Sequence, residues 1–365
     1  VMDAFVSLPV VKNVMGKGET KSSVVLDSGM NAGLRIVTDD HFPFALHHFT
    51  GSREHNTATR ARARALGIEM NEYGLFRGER PIECSDEIEI FAALNLDYIP
   101  PELRENMGEI EAAEEKRLPE LVERCDLRGT FHVHSNYSDG ANTLAEIARA
   151  GSDMELEYIG MSDHSKAASY AGGLKEEDVE KQHAEIDSLN ASSSGCMLLK
   201  GVESDILPDG SLDYSPGFRN CFDFIVVSIH SNFNMNEVDM TRRIIKAIED
   251  PHTSMLGHPT GRLLLMREEY KVDVYRLIDA AAHNGVAIEI NANPNRLDLD
   301  WRPCKYAREK GVLLAINTDA HRIETLAHLD YGIGIARKGW LEKDDVLNTR
   351  GLDEVMKLLN RRKNA

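Results

Sequence analysis

No apolar run in these 365 residues approaches the roughly 18–20 residues that a bilayer-crossing helix needs, which argues against a membrane span. No basic stretch followed by an apolar core stands near the N-terminus, so a secretory signal peptide is not expected. Cysteine is scarce and unpaired in spacing: Cys84, Cys125, Cys196, Cys221 and Cys304 are scattered along the chain. That pattern excludes a disulfide framework and a cysteine zinc site, and fits free thiols in a reducing cytoplasm. Short internal repeats and low-complexity tracts are absent. So is a cationic excess: 42 Lys and Arg stand against 60 Asp and Glu, a net charge of −18, which argues against broad coating of nucleic acid.

What is present is ordinary in bulk and uneven in place. Hydrophobic residues make up 42% and charged residues 28%, as in a globular protein long enough for two or three domains. Residues 1–80 carry ten Lys and Arg against nine Asp and Glu, whereas residues 81–127 carry four against fourteen. The first stretch could meet DNA; the second reads as acidic and solvated. The chain starts at Val1, and MDAFVSL reads as the middle of a helix, so a preceding portion is expected.

Residues 1–40 contain three strand-like runs, VVKNVM, KSSVVLD and GLRIVT, separated by turn signals at GKG and DSG. They predict a small antiparallel sheet. FTGS then opens a helix with Ser52 as N-cap, running through TATRARARAL to Gly67. NEYGLFR predicts a short strand, and SDEIEIFAALNL a helix capped by Ser85 that Pro100 and Pro101 break off. Residues 102–127 read as an acidic linker. From Arg128 onward strand, loop and helix alternate: seven strands with intervening helices over the rest of the chain predict an α/β barrel.

Those seven runs are GTFHVHS, EYIGMSDHS, MLLKGVESD, DFIVVSIHS, SMLGHP, VAIEINAN and LLAINTDAH. Six of them end in His, Asp or Glu. In order they offer His132 and His134, His164, Glu203, His230, His258, and Asp319 with His321; Asp139 follows the first run closely. A barrel brings its strand C-termini to one mouth, and nine donors there are too many for one metal and suit two or three. His132 and His134 lie two apart on a strand and so share a side. Imidazole suits zinc, manganese or iron, and added carboxylates tolerate manganese and iron. Closely spaced cations supply hydroxide near neutral pH and clamp the oxygens of a phosphoryl group, so phosphate-ester hydrolysis is expected, with no side chain assigned as the catalytic base. Other histidines, namely His41, His47, His183, His252, His283 and His328, read as core or surface residues. Asp163 reads as orienting a neighbouring imidazole from behind.

HVHSNYSDG, SDHS, GVESDILPDGSLDY, SIHS, GHPTGR, EINANPNR and NTDAH together resemble the polymerase-and-histidinol-phosphatase (PHP) domain. The version is similar to the one at the C-terminus of bacterial family X DNA polymerases, and the likeness runs from about Arg128 to the end. It implies a distorted seven-stranded barrel with a trinuclear site. His132, His134, Glu203 and Asp319 would hold one metal, and Glu203 would bridge to a second held with His230 and His258. Asp139, His164 and His321 would hold the third. Lys166, Arg262, Arg296 and Arg322 lie just beyond strand ends and are candidates to hold substrate phosphate, the plainer reading being cations paired with local acids.

Residues 11–75 resemble the same polymerases at the end of the palm and in the nucleotide-selecting subdomain, through KGETKSSVVL, GLRIV, HFTGSREHN and LNEYGLF. The expected organisation is a partial palm at 1–40, a nucleotide-selecting subdomain at 41–101, the linker at 102–127 and the PHP domain at 128–365. Gly51 and Ser52 open a helix whose amides could meet a phosphate. Arg60 and Arg64 share a helix face that could meet a DNA backbone. Asn56 resembles the residue that touches a base edge. Phe49 belongs to an aromatic pair, usually Tyr-Phe, that is His48-Phe49 here. The family's third metal-binding Asp is replaced by Gly33, and the other two acids are expected upstream of Val1, so polymerisation by this chain is the least expected activity.

The leading expectation is a metal-dependent phosphodiesterase with three divalent ions, acting on DNA 3′ ends as a 3′→5′ exonuclease. Cleavage at abasic sites, removal of 3′-phosphate, and gapped or damaged DNA as partner are also in reach. The alternative on the same barrel is a small-molecule phosphatase of the histidinol-phosphate type. A non-catalytic DNA-binding module with a structural metal is disfavoured, since structural sites rarely use more than four ligands.

Overall fold

A computed structural model describes residues 1–192 and 195–361 and divides into two compact units, Val1–Leu118 and Pro119–Ala365. In the first, a short helix α1 (Met2–Val6) precedes three antiparallel strands, β1 (Val11–Lys17), β2 (Lys21–Leu26) and β3 (Asn31–Arg35). Gly29 turns the β2–β3 hairpin at φ +84°, a conformation that costs glycine nothing. Helix α2 (Phe42–Thr50) was not expected from sequence; Pro43 sits in its first turn, where a missing N–H is harmless. Helix α3 (Arg53–Ala65) is capped by Ser52, whose hydroxyl accepts the His55 amide at 3.1 Å, and Gly67 leaves the helix end at φ +70°. The expected strand at NEYGLFR is a three-stranded meander, β4 (Glu69–Asn71), β5 (Gly74–Arg77) and β6 (Arg80–Ile82).

Two expectations fail in this unit. Helix α4 (Glu87–Ala93) is capped by Asp86, not Ser85: the Asp86 carboxylate accepts the Glu89 amide at 2.9 Å, while Ser85 donates to the Glu89 carboxylate. The supposed acidic linker is also packed structure up to the end of α5 (Glu109–Glu114). Leu103, Arg104, Glu109, Ile110, Ala112 and Ala113 are buried. The charges there are satisfied internally. Glu109 accepts from His55 Nδ1 at 2.7 Å and from the Asn106 and Met107 amides, and Arg104 pairs with Glu87 at 2.5 Å beneath the rings of Phe91 and Tyr98. An acidic count thus misled because partners distant in sequence neutralise it.

The second unit is the seven-stranded barrel. Its strands are β7 (Gly129–Val133), β8 (Tyr158–Met161), β9 (Met197–Asp205), β10 (Phe224–Ser228), β11 (Met255–Leu256), β12 (Ala287–Asn291) and β13 (Leu314–Asn317). They neighbour one another in chain order and every pairing is parallel. Helices α6 (Leu144–Asp153), α7 (Glu176–Ser192), α8 (Pro216–Arg219), α9 (Glu237–Glu249), α10 (Val274–Asn284), α11 (Trp301–Glu309), α12 (Leu329–Lys338) and α13 (Leu352–Arg361) complete the unit. Apart from α8, a single turn, and α12, each coincides with a helical run legible in the sequence. Thr143, Asn236, Asp273 and Asp300 cap four of them by accepting an early amide.

The ring closes between β7 and β13. At the strand C-termini Val133 bridges Ala320, with His134 N donating to Ala320 O at 2.9 Å and Ala320 N to His132 O at 3.2 Å. Below this, side chains fill the seam. Asn317 Oδ1 accepts the Phe131 amide at 3.0 Å. Asn348 accepts the Ile316 amide at 2.6 Å and donates to Gly129 O and Ile316 O at 2.9 and 2.7 Å. Phe131, Tyr158, Leu199, Phe224, Val226, Met255, Ala287 and Ala315, at least one residue from each strand, form a single buried cluster with Leu347 and with Val355 and Leu359 of α13. This is the barrel interior. Gly160 and Gly201 leave room there for Phe224, whose ring an added Cβ would strike at either position. The aromatic plug closes the barrel beneath the mouth, so ligands enter from the strand C-termini.

Candidate metal centre

Parallel strands deliver their last residues to one rim, and all nine expected donors meet there. Glu203 is at the centre: its carboxylate lies 3.3 Å from His132, 3.8 Å from His134, 3.0 Å from His164, 3.3 Å from His230 and 2.9 Å from His258. Asp319 faces His132, His134 and His321 at 3.7, 3.3 and 3.7 Å. Asp139 reaches His134, His164 and His321 at 3.9, 3.7 and 3.3 Å. The donor atoms of His134, Asp139, His164 and His321 lie within 4.8 Å of one another, as do those of His132, His134 and Asp319, and those of His164, Glu203 and His230. His134 and His164 therefore each border two of these sets, a sharing that spacing along the chain could not convey.

The electrostatics fit cations. Burial alone would raise Glu203, yet the imidazoles of His230, His132 and His164 outweigh it and hold the carboxyl well below its usual range. Burial would likewise raise Asp319, but His132 and His134 keep it low. Burial takes the His134 imidazole down to about 3, helped by His164 and His321. His132 Nε2, both ring nitrogens of His134 and Nδ1 of His164 are buried without a hydrogen-bond partner. Orphaned imidazole nitrogens beside ionised carboxylates are the donor set of divalent transition metals. Asp319 and His258 also have φ of +51° and +21°, strained conformations that the surrounding loops must enforce.

Groups that sequence reasoning missed hold the donors in place. Glu289 on β12 accepts from His132 Nδ1 at 2.7 Å and from the His258 amide at 2.6 Å. Asp205, two residues beyond Glu203 on β9, bonds His230 Nδ1 at 2.7 Å. Asn291 donates to Asp319 at 3.2 Å. A signal for Asp205 and Asn291 did exist: each shares strand parity with an inward residue, Glu203 or Glu289.

Several expected roles shift. Asp163 does not orient an imidazole. Its buried carboxylate gathers the amide and hydroxyl of Ser135, those of Ser138, and the Gln182 side chain, so it builds the loop that carries Asp139. Arg262 is spent inside the protein, donating to Arg296 O at 2.8 Å and to Leu297 O and facing Asp300 at 3.4 Å. Lys166 pairs with Glu176 at 2.7 Å and lies over the Tyr214 ring. Arg296 does turn inward: its Nε is 3.2 Å from Asp319, and a buried NH1 has no partner. Arg322 is exposed on the loop after His321. His47 and His183 are buried, whereas His283 is exposed.

In the first unit, Arg60 and Arg64 are exposed and line one hollow with Gly67, Ile68, Glu69 and Met70. Phe49 is exposed beneath the Arg35 guanidinium. Asn56 is instead buried and gives its amide to His48 O at 2.8 Å, so that donor is not offered to a base. Gly33, in β3, has no carboxylate to offer.

Two family models match: the DNA polymerase beta thumb over residues 45–105 and the PHP domain over residues 130–293. The chain is 40% identical over 369 residues to the DNA polymerase/3′-5′ exonuclease PolX of Bacillus subtilis (strain 168), covering 99% of this chain and 64% of that protein. The chain belongs to the PHP-domain family X polymerases. It spans 64% of the length of that relative. The chain is also similar over part of its length to shorter proteins. A probable phosphatase of Thermoanaerobacter sp. (strain X514) is 28% identical over 229 residues, covering 60% of this chain and 89% of that protein. One of Vibrio parahaemolyticus serotype O3:K6 (strain RIMD 2210633) is also 28% identical over 229 residues, covering 60% and 88%. Among the described residues no helix is long and apolar enough to cross a membrane.

Proposed function

We propose that this chain is a metal-dependent phosphodiesterase that removes nucleotides from DNA 3′ ends, a 3′→5′ exonuclease. The observation that carries it is Glu203, one carboxylate within 4 Å of five imidazoles at the mouth of a PHP barrel. His132, His134, Glu203 and Asp319 would hold one divalent ion, Glu203 with His230 and His258 a second, and Asp139, His164 and His321 a third, zinc, manganese or iron being suited to this donor set. When bound, such ions lower the pKa of water and neutralise charge developing on a phosphoryl group. The chain's own residues do the placing. Glu289 and Asp205 fix the tautomers of His132 and His230, so that Nε2 of each faces the centre. Asp163 holds the Asp139 loop, and Arg296, whose Nε lies 3.2 Å from Asp319 and whose buried NH1 has no partner, would meet a phosphate oxygen beside the ions.

The DNA reading is supported by the thumb match and by the name of the Bacillus relative. Phe49, Arg60 and Arg64 on the first unit would meet the strand, with Gly51 and Ser52 opening α3 toward a phosphate. Repair of gapped, abasic or 3′-phosphate ends would follow from the same chemistry, and the scattered thiols suit a cytoplasmic setting. Polymerisation is not proposed, because Gly33 stands where the family has a metal-binding Asp.

Glu203→Ala and His134→Ala should each abolish release of nucleotides from a labelled oligonucleotide while leaving the far-UV spectrum intact. Nuclease rates equal to the parent in either variant would sink the site. The likeness to the phosphatases favours a second reading, a small phosphomonoester as substrate. Turnover on phosphomonoesters above that on oligonucleotides would select it.

A further inference from the structure

The loop after β8 carries His164 and then, six residues later, Tyr170. That ring is 71% exposed, with its centroid 6.4 Å from the ring of His164. The loop that presents it is built, not loose. Ser165 bridges Leu174, Leu174 N donates to His164 O at 2.8 Å, and Gly173 N donates to Ala168 O at 3.1 Å. Asp213 accepts the Ala167 amide at 2.6 Å, and Ala168 is fully buried as the loop's anchor. A side chain at Gly173 would collide with Ser165 O, so the tight turn that lifts Tyr170 depends on glycine.

A second apolar projection rises from the β11 side. Leu263 pairs with Arg267 across a short turn whose tip is Leu264, Leu265 and Met266, the last 79% exposed. Leu264 N donates to Asn295 O at 2.6 Å, next to Arg296, the residue that faces Asp319. β8 and β11 stand three strands apart in a ring of seven, so the two projections rise from opposite rims of the mouth. The donor cluster sits in the mouth that these rims border, and Arg296, beside the second turn, faces Asp319 of that cluster at 3.2 Å. Apolar surface held rigidly in water beside a phosphate-binding cation suits a ligand with a flat apolar face attached to a phosphate.

Resting on the exonuclease reading above, we propose that Tyr170 is a stacking platform for the base of the 3′-terminal nucleotide, with the Leu264–Met266 turn as the second wall. Every base has a π-face, so the contact is sequence-tolerant, and it requires an unpaired terminal base. Tyr170 is thus a substrate-binding residue that recognises the presence of a terminal base.

The test crosses Tyr170 with the terminal base. Two 5′-labelled oligonucleotides are compared, one ending in an ordinary nucleotide and one ending in an abasic sugar. Binding is read by fluorescence anisotropy on chelated protein, and kcat/KM on the metal-loaded protein. The parent should favour the base-bearing end by about tenfold in both readouts. Tyr170→Ala and a Leu265→Ser/Met266→Ser double variant should each shrink that preference, Tyr170→Ala to near unity, while Tyr170→Phe restores it. Absence of a preference in the parent, or its persistence in Tyr170→Ala, would overturn the platform. If the parent degrades neither oligonucleotide, it is the exonuclease reading that fails.

Discussion

Glu289 donates nothing to the proposed ions, yet it binds the ring of His132 and the main chain of His258 at once. A neutral amide in its place keeps the shape and loses the charge that sets the His132 tautomer. Glu289→Gln is therefore expected to fold and to bind divalent metal about 10- to 100-fold more weakly, measured by competition with a chromogenic chelator. Affinity equal to the parent would remove Glu289 from the site's support. His183 shows what burial does to a histidine outside the site. Packed edge-on against Phe222 with an unpartnered Nε2, its imidazole is pushed by burial down to about 4, with Lys200 adding to the effect. The unfolded chain takes up that proton near 6.5, so the folded state binds fewer protons between the two values. Stability contributed by the neutral ring is complete above pH 6.5 and falls as pH drops toward 4, by up to about 3 kcal/mol. Urea midpoints of chelated protein at pH 7 and 4.5 should differ less in His183→Leu than in the parent. An equal acid loss in both would assign it to other groups.

At the scale of elements, the barrel seam is the least regular feature and the most exposed to single changes. Asn348 satisfies three main-chain groups of two strands that do not pair directly at that level. Asn348→Ala would orphan the Ile316 amide and the Gly129 carbonyl in a buried place, at a cost of about 2–4 kcal/mol read from urea unfolding. A loss under about 0.5 kcal/mol would mean the seam relaxes and re-pairs. The seam also marks where sequence reading stopped. All seven strands were legible because each is a short apolar run ending in a polar donor, and their order followed from strand–helix alternation. That the nine candidate donors would gather at one rim was legible for the same reason. Asn348 and Glu289 were not, because their meaning lies in partners from other segments; the cap Asp86 was missed because Ser85 beside it is an equally good capping type. Likewise the acidic stretch around Glu109 looked solvated because His55, its partner, is 54 residues away. Helix α2 escaped because a Pro near its start and a His pair near its end broke the expected periodicity. Gly33 carries its own test. It is exposed in β3, and an added Cβ would approach only Ser22 O, at 3.9 Å. Gly33→Asp should thus change stability by about 0.5 kcal/mol or less, read from the thermal midpoint. A larger loss would show that the glycine is kept for the backbone.

For the whole molecule, the division between Leu118 and Pro119 makes the hydrolytic site a property of one unit. All nine donors, and Glu289, Asp205, Asp163 and Arg296 behind them, lie after that boundary. So does a closed barrel interior with α13 packed into the same cluster. A fragment of residues 119–365 is therefore expected to unfold in one cooperative transition and to bind as many metal ions per chain as the whole protein, counted by elemental analysis. What it should lose is DNA affinity, because Arg60, Arg64 and Phe49 are left behind. Phosphate contacts release counterions, so the salt dependence of oligonucleotide binding should be steeper for the whole chain than for the fragment. Equal slopes would mean that the first unit touches no phosphate, and a fragment that binds no metal would mean that the barrel cannot form its mouth alone. The two measurements fail independently, which separates a fault in the proposed division of labour from a fault in the proposed metal centre.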